Sequence, residues 1–270
     1  METIGFVGGG NMAEALIKGI TAAKIYKPEN ILVSDIRQER LACLEKEYKV
    51  KISGNNAELA AKADILVLAV KPQNMTDALQ SIKGALKKDT LIVSIAAGKR
   101  TSSITGVLGE AAVVRVMPNT PALIGEGASA LFANERAKPM LKKAEKIFSA
   151  VGKVVIVDNE DLIDAVTAVS GSGPAYYFLL MEEMIKAAVK LGLSEDTAKN
   201  LVLQTAKGAS LLAVEADKKN ESPAELRRKV TSPGGTTAAA ISIFEQKSFS
   251  GLVAEAIEAA CRRSRELSKQ

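Results

Sequence analysis

The stretch Thr3-Ile-Gly-Phe-Val7 runs directly into Gly8-Gly9-Gly10-Asn11-Met12-Ala13, and this junction decides the fold. The first part lacks the alternation of a half-exposed strand, so it predicts a strand buried on both faces. The second part has the form G-x-G-x-x-A. The first glycine permits a sharp turn, the third lets a pyrophosphate approach the backbone, and Ala13 lets the following helix pack close to the strand. This context predicts a dinucleotide-binding turn rather than a plain strand-to-helix connection.

Short apolar runs alternate with helical patterns over the first 157 residues. The further strands are predicted at 31–34, 65–70, 91–95, 113–117, 129–133 and 154–157, and the helices at 11–24, 37–48, 73–86 and 138–151. This alternation is typical of an α/β protein with a doubly wound parallel sheet that carries helices on both faces.

After about residue 159 the pattern changes, because only helical periodicity follows. Helices are predicted at 161–170, 175–191, 195–215, 224–230, 235–246 and 250–268. We therefore expect a dinucleotide-binding domain over 1–159 and an all-helical domain over 160–270. The helix at 175–191 begins Ala-Tyr-Tyr-Phe-Leu-Leu-Met and is apolar nearly all round, so it must be covered either within its own domain or by a second subunit.

The composition excludes several classes of function. The chain has no histidine, which rules out a Ser-His-Asp triad, a Cys-His dyad and a histidine general base. Most zinc and non-haem iron sites are disfavoured for the same reason, so no metal is expected. The 36 basic and 31 acidic residues are scattered and aromatic residues are few, which argues against nucleic-acid binding.

The compartment is predicted from the two cysteines and the apolar runs. Cys43 and Cys261 are far apart and form no CxxC motif, in agreement with a reducing environment. The amino terminus has no signal-peptide pattern, and Gly171, Gly173 and Pro174 interrupt the longest uncharged run. We expect a cytoplasmic protein without a membrane segment.

The end of the second strand reads Ser34-Asp35-Ile36-Arg37 and leaves the coenzyme open. An acid at this point usually accepts hydrogen bonds from the ribose hydroxyls of NAD, whereas a nearby arginine accommodates the 2′-phosphate of NADP. Asp35 therefore favours NADH, and Ser34 with Arg37 favours NADPH. A third interpretation of Asp35 is a helix cap.

Two further strand ends, Val70-Lys71-Pro72-Gln73 and Ser94-Ile-Ala-Ala-Gly98, lie where α/β sheets bind ligands. Two glycine-rich helix starts, Ser170-Gly-Ser-Gly-Pro-Ala175 and Thr231-Ser-Pro-Gly-Gly-Thr-Thr237, expose amides and hydroxyls suited to a carboxylate. Each of these two starts has a simpler interpretation as a helix cap alone.

In order along the chain, these segments resemble the pyrroline-5-carboxylate reductase family. The resemblance rests on Ile4–Ala13, Ala69–Gln73, Ser94–Gly98, Arg115-Val-Met-Pro-Asn-Thr-Pro121, Asp164–Tyr176 and Val230–Thr237. It implies a Rossmann domain followed by a helical dimerisation domain, with homodimers assembled into a larger homo-oligomer. It also implies reduction of 1-pyrroline-5-carboxylate to L-proline by NADPH or NADH, the last step of proline biosynthesis.

The resemblance also implies the site residues. Asn56 matches a position on the adenosine side, and Glu160 matches a position associated with substrate in some members. The expected coenzyme contacts are Val7, Gly8, Gly9, Gly10, Asn11, Met12, Ser34, Asp35, Arg37, Asn56, Ala69, Val70, Lys71, Pro72, Ile95, Ala96 and Ala97. The expected substrate contacts are Glu160, Ser232, Gly234, Gly235, Thr236 and Thr237, with Ser232 and Thr237 as catalytic candidates.

This chemistry agrees with the composition. A protonated imine already attracts hydride, so the protein needs to position two reactants and bind a carboxylate, without a nucleophile or a metal. We expect the Thr237 hydroxyl to hydrogen-bond the ring nitrogen or the carboxylate and to relay a solvent proton.

Two other functions compete with this interpretation. A β-hydroxyacid dehydrogenase would need a catalytic lysine followed one turn later by asparagine, but Lys186 and Lys190 are followed at i+4 by Lys190 and Ser194. A non-catalytic nicotinamide-sensing or assembly protein would keep Gly8 and Gly10 but would not need the loop at 230–237.

Overall fold

The computed structural model describes residues 2–269. The strands are β1 (Ile4–Val7), β2 (Ile31–Ser34), β3 (Lys51–Ile52), β4 (Ile65–Leu68), β5 (Leu91–Ser94), β6 (Ala112–Met117), β7 (Gly127–Ala133) and β8 (Gly152–Ile156). The helices are α1 (Asn11–Ala22), α2 (Gln38–Tyr48), α3 (Asn56–Lys62), α4 (Met75–Ile82), α5 (Thr101–Leu108), α6 (Leu141–Ser149), α7 (Leu162–Val166), α8 (Gly173–Lys190), α9 (Glu195–Asp217), α10 (Pro223–Lys229), α11 (Thr236–Gln246) and α12 (Phe249–Leu267).

The strands form one sheet in the order β3-β2-β1-β4-β5-β6-β7-β8. The first six in this order are parallel, as predicted, but β7 runs antiparallel to β6 and β8 is parallel to β7. The expectation of a wholly parallel sheet was wrong at this edge. The connection 118–126 contains only a 3₁₀ turn at Thr120–Ile124, whereas a parallel crossover needs about a dozen residues or more.

Helices cover both faces of the sheet. On one face α1, α2 and α6 bury apolar side chains against the strands, and on the other α3, α4 and α5 do so. Every residue of β1, β2, β4 and β5 is buried, which explains their unbroken apolar sequences. The doubly wound α/β architecture is therefore confirmed.

The described chain divides into two compact units. One contains residues 2–174 together with 259–269, and the other is Ala175–Glu258. The second unit is entirely helical and contains most of α8, all of α9, α10 and α11, and the first half of α12. The domain boundary placed between residues 159 and 160 stays a prediction.

The second unit exposes many apolar side chains. On α8, Tyr177 and Phe178 are 62% and 60% exposed, and on α9 Leu211 is 54% exposed. Apolar surface of this extent is typical of a protein interface. Within the described residues, no helix is both long and apolar enough to span a membrane, and no group of three or more Cys, Asp or Glu side chains is placed to hold a metal ion.

Candidate active site

The glycine loop sits at the carboxyl ends of neighbouring strands β2, β1 and β4. The Gly8 N–H donates to the Ser34 carbonyl (2.8 Å), and the Ala69 N–H donates to the Val7 carbonyl (2.8 Å). Gly8 has φ +98°, and a Cβ there would lie 2.8 Å from the Ala69 carbonyl oxygen. The turn therefore requires glycine for two reasons, its backbone conformation and its close approach to β4.

Gly10 leaves an open space at the start of α1. It is the N-cap residue in an extended conformation, and no side chain caps the helix. A Cβ at Gly10 would meet no atom within 4 Å. An uncapped helix N-terminus beside an open concavity is suited to an anion, so this loop fits the pyrophosphate of a dinucleotide.

Asp35 is bound by the protein itself. Its carboxylate accepts a hydrogen bond from the Gly9 N–H (2.8 Å), and it accepts others from the Arg37 N–H (2.9 Å) and the Arg37 Nε (3.0 Å). Burial acts to raise the pKa of Asp35, but these hydrogen bonds outweigh it and hold the pKa below its ordinary value. The Arg37 side chain is 53% exposed, so a cation lies at the surface beside the loop.

A second polar chain runs from Ser34 to α4. The Ser34 hydroxyl donates to Asn56 Oδ1 (2.6 Å), and Asn56 Nδ2 donates to Ser81 Oγ (2.9 Å). Asn56 is the first residue of α3 and Ser34 is the last of β2. The structure thus places the predicted adenosine-side residues next to each other.

An arginine on α2 completes the loop, and sequence reasoning did not find it. Arg40 Nε donates to the Gly9 carbonyl (2.5 Å), and the guanidinium forms an ion pair with Glu14. Tyr48 donates to the same carboxylate (3.1 Å). Burial acts to raise the pKa of Glu14, but the hydrogen bonds from Arg40 and Tyr48 lower it overall. Arg40 and Glu14 lie on different helices, so no local pattern links them.

The two other predicted turns also lie at the carboxyl ends of the strands. Ala69–Pro72 follows β4, and Ile95–Ala97 follows β5, whose backbone continues into the turn with the Ile95 N–H donating to the Leu68 carbonyl (3.2 Å). Ala96 is buried and Lys71 is exposed. The carboxyl ends of β2, β1, β4 and β5 are adjacent in the sheet, so all predicted coenzyme residues are brought to one edge, while their individual roles stay predictions.

The predicted substrate loop belongs to the second unit. Ser232 to Gly235 form a turn in which the Gly235 N–H donates to the Ser232 carbonyl (3.0 Å), and Gly234 has φ +72°. Gly235 is the N-cap of α11 without a side-chain cap, and Thr237 is half-buried. The first turn of α11 has no side-chain cap, and the adjoining turn carries hydroxyl side chains, a combination suited to a carboxylate.

Glu160 lies in the first unit, where its carboxylate is bound by other side chains and amides of that unit. Its carboxylate accepts hydrogen bonds from the Thr101 N–H (2.8 Å) and the Thr101 hydroxyl (2.9 Å), which cap α5. Arg115 Nη1 lies 3.2 Å from the same carboxylate. A substrate contact for Glu160 stays a prediction.

Lys186 is paired with two acidic side chains of its own helix. It forms ion pairs with Glu182 (2.5 Å) and Glu183 (2.8 Å) on its own helix. Hydrogen bonds to these two carboxylates raise the pKa of Lys186 above its ordinary value. This pairing gives no support for Lys186 as the catalytic lysine of a β-hydroxyacid dehydrogenase.

The fold and the loop define a Rossmann-type oxidoreductase with a helical second domain, and comparison with known proteins narrows the class. Residues 160–267 match the family described as "Pyrroline-5-carboxylate reductase dimerisation", and residues 3–98 match "NADP oxidoreductase coenzyme F420-dependent". The chain is 49% identical to a pyrroline-5-carboxylate reductase of Pseudomonas aeruginosa, covering 99% of this chain and 97% of the relative. The chain belongs to the pyrroline-5-carboxylate reductase family, so the expected resemblance is confirmed.

Solved structures of other proteins support the same family assignment. A pyrroline-5-carboxylate reductase of Coxiella burnetii is 41% identical and superposes with a TM-score of 0.93, covering 100% of this chain and 99% of that one. The Plasmodium falciparum enzyme, solved with NADP bound, is 37% identical with a TM-score of 0.86, covering 99% and 98%. A 3-hydroxyisobutyrate dehydrogenase of Mycobacterium tuberculosis, with 17% identity, a TM-score of 0.53 and coverage of 72% and 67%, shares the fold alone.

Proposed function

We propose that the protein reduces 1-pyrroline-5-carboxylate to L-proline with a reduced nicotinamide coenzyme, the last step of proline biosynthesis. One observation carries the proposal. The glycine loop that receives a dinucleotide and the uncapped start of α11 occur in one chain that belongs to this family over its full length. A reduced nicotinamide, when bound, supplies the hydride.

The first unit holds the coenzyme in this proposal. Gly10 and the start of α1 bind the pyrophosphate, since an uncapped helix N-terminus offers free N–H groups and positive potential. Ser34 and Asn56 lie on the adenosine side. The turns Ala69–Pro72 and Ile95–Ala97 form the remaining wall, where small side chains leave room for a flat ring and exclude water.

The second unit holds the imine by its carboxylate. The first-turn amides of α11 and the hydroxyls of Ser232 and Thr237 are hydrogen-bond donors without a cation beside them in the turn. A neutral donor set binds the carboxylate and leaves the positive charge on the protonated ring nitrogen. The Thr237 hydroxyl first relays a proton from solvent to the neutral imine nitrogen, because a hydroxyl is too weak an acid to protonate it alone, and then accepts a hydrogen bond from the protonated nitrogen.

The test of this proposal is consumption of NADPH or NADH, followed by absorbance, when 1-pyrroline-5-carboxylate is added. In the variant Thr237→Ala we expect a loss of about 1–3 kcal/mol of transition-state stabilisation, so that kcat/KM falls roughly five- to 150-fold. Thr236→Ala is the matched control. It removes a hydroxyl at the exposed neighbouring position but keeps the backbone amide, which is the group expected to bind the carboxylate. No oxidation of either coenzyme by the wild type would refute the activity, and an unchanged kcat/KM in Thr237→Ala would refute the role of this hydroxyl.

We further propose that NADPH is preferred over NADH. The Asp35 carboxylate is already bound by the Gly9 amide and by Arg37, which removes the acceptor that a ribose diol of NADH would use. Arg37 supplies a half-exposed cation at the same point, the group that accommodates a 2′-phosphate.

Arg37→Gln tests this preference. Loss of a charge-assisted contact is expected to lower kcat/KM with NADPH by about 1.5–3 kcal/mol, roughly tenfold or more, with little change for NADH. Lys27→Gln, which removes an exposed cation at the opposite end of β2, is the control and should leave kcat/KM unchanged with both coenzymes. Equal losses with both coenzymes in Arg37→Gln would contradict the assignment.

The dimerisation family that matches 160–267 supports homo-oligomerisation. We propose a homodimer formed by the second unit, with the substrate loop of one subunit facing the coenzyme of its partner, and assembly of dimers into a larger ring. A cytoplasmic location stays a prediction.

A further inference from the structure

Arg115, Glu160 and Asp164 form a buried ionic cluster in the first unit. Arg115 on β6 and Asp164 on α7 are 1% and 0% exposed. Arg115 Nη1 lies 3.2 Å from Glu160 Oε1, and Arg115 Nη2 lies 3.8 Å from Asp164 Oδ1. Charges removed from water are stable only when good geometry and further hydrogen bonds satisfy them. Such a cluster is therefore sensitive to the loss of any one donor.

The end of α12 supplies one of those donors. The Ser264 hydroxyl is buried and donates to Asp164 Oδ1 at 2.6 Å. Ser268, one turn later, is 3.4 Å from the same oxygen. Arg115 Nη2 and Asp164 Oδ2 have no hydrogen-bond partner among the described residues. The Ser264 hydroxyl thus donates the short hydrogen bond that Asp164 receives from α12, and this bond fixes α12 against α7.

The same cluster lies next to the turn at Ile95–Ala97. Arg115 is the register partner of Ser94, the last residue of β5, so the two side chains point to the same face of the sheet. Ser94 directly precedes Ile95. Arg115 therefore lies beside the strand end from which the turn begins.

The far end of this turn, at Gly98, packs against the end of α12. Gly98 has φ +69°, and a Cβ there would lie 3.0 Å from Leu267 Cβ and 3.2 Å from the Leu267 carbonyl carbon. Leu267 and Ser264 are three residues apart and therefore share one side of the helix. One helix end both satisfies the buried Asp164 and packs against the far end of the turn.

We propose that Ser264 and Leu267 are positioning residues for coenzyme binding, acting through the turn Ile95–Ala97. The inference rests on the proposed role of that turn in holding the coenzyme. Close-packed interiors transmit small displacements, so a shift of α12 that follows loss of the Ser264 hydrogen bond displaces Gly98 and widens the turn. Neither residue contacts the reacting atoms.

The experiment compares Ser264→Ala, Leu267→Gly and the control Ser268→Ala in the full-length protein. The dissociation constant of NADPH is measured by its fluorescence, together with kcat and the two KM values. We expect the NADPH dissociation constant to rise about three- to tenfold in Ser264→Ala and in Leu267→Gly, which removes the Cβ that lies nearest to Gly98. Both kcat at saturating coenzyme and the KM of the imine should stay within about twofold of wild type, and Ser268→Ala should bind NADPH within about twofold of wild type.

The outcomes are distinct. A lower melting temperature with an unchanged NADPH dissociation constant in both variants would show a merely structural role and overturn the inference. A fall in kcat without a change in coenzyme affinity would overturn it too. If Ser264→Ala does not fold, Leu267→Gly decides, because Leu267 is 37% exposed and outside the buried cluster. A wild type that binds NADPH but does not reduce the imine would instead refute the proposed function and leave the affinity comparison valid.

Discussion

The two glycine turns that begin α1 and α11 differ in how completely the chain encloses them. Both lead into a helix without a side-chain cap, and each contains a glycine with positive φ. Around Gly8 the neighbouring strands are in contact, since a Cβ would lie 2.8 Å from the Ala69 carbonyl oxygen. Around Gly234 a Cβ would meet nothing within 4 Å, and Ser232 is exposed.

Under the proposed function, this difference separates a coenzyme site that forms within one chain from a substrate site that a second chain completes. The loop at Gly8 is held by β2, β4 and Arg40, so it needs no other subunit to form. The turn at Ser232 has donors but few neighbours in its own unit. It belongs to the unit that exposes Tyr177 and Phe178, which agrees with completion by a second copy of the chain.

The largest effect is expected from breaking the subunit interface. Phe178→Asp places a charge in a surface that we expect to be buried twice in a symmetric dimer, at a cost of at least about 1.5–3 kcal/mol for each lost side chain. Size-exclusion chromatography with light scattering should show monomers. Activity with the imine should fall by about a hundredfold or more, because substrate and coenzyme are no longer held together.

NADPH binding by the same variant should stay within about twofold of wild type, since the first site is complete in one chain. Phe178→Leu keeps an apolar side chain and is the control. If Phe178→Asp lost coenzyme affinity as completely as activity, the contrast between the two turns would be wrong.

A matched pair of substitutions measures the contrast directly. Gly8→Ala combines positive φ with a backbone clash and should lower the free energy of unfolding by about 2–4 kcal/mol. Gly234→Ala meets only the cost of the left-handed conformation, about 1–2 kcal/mol. Denaturant unfolding monitored by circular dichroism gives both values. Equal losses of unfolding free energy in the two variants would mean that the turn at Gly8 shifts to relieve the clash with Ala69.

The smallest effect concerns the acid stability of the first loop. The folded-state pKa of Asp35 is lowered, so its ionised form stabilises the fold above the unfolded value of about 3.9, and this contribution is lost as the pH falls through the folded pKa. Asp35→Asn lacks the contribution, which we expect to be below about 1 kcal/mol because Arg37 is half-exposed.

The difference in unfolding free energy between wild type and Asp35→Asn should therefore narrow between about pH 5 and pH 3. Lys27→Gln, which alters an exposed pair at 3.9 Å with Glu29, is the control and should show no such trend. A difference that widens towards acid pH would contradict the role of Asp35.

The sequence predicted the parts of the fold in which local pattern and burial agree. The unbroken apolar runs of β1, β2, β4 and β5 are buried completely, so pattern and structure coincide. Three elements were not predicted. These are β3, which has only two residues, α3, which buries only Leu59 and Ala60, and α5, which is rich in Ser and Thr. Their weak apolar faces are stabilised by tertiary packing rather than by local pattern.

The site was predictable where glycine spacing has a backbone meaning and unpredictable where it depends on long-range pairing. Gly8 and Gly10 follow from the geometry of a strand-to-helix turn. The contacts of Arg40 with Gly9 and of Ser264 with Asp164 join residues 31 and 100 positions apart. The signal that was available for Arg115 was a charge inside an apolar strand, which indicates a buried partner but does not say which.

The shortness of β3 has a consequence for how copies of this chain associate. Edge strands with free backbone groups invite pairing with another molecule, and proteins counter this with very short or charged edges. At this edge only Lys51 and Ile52 pair with β2, and a lysine occupies half of the strand. Sheet-to-sheet polymerisation is therefore discouraged there, which leaves the helical surface as the route to an assembly of defined size.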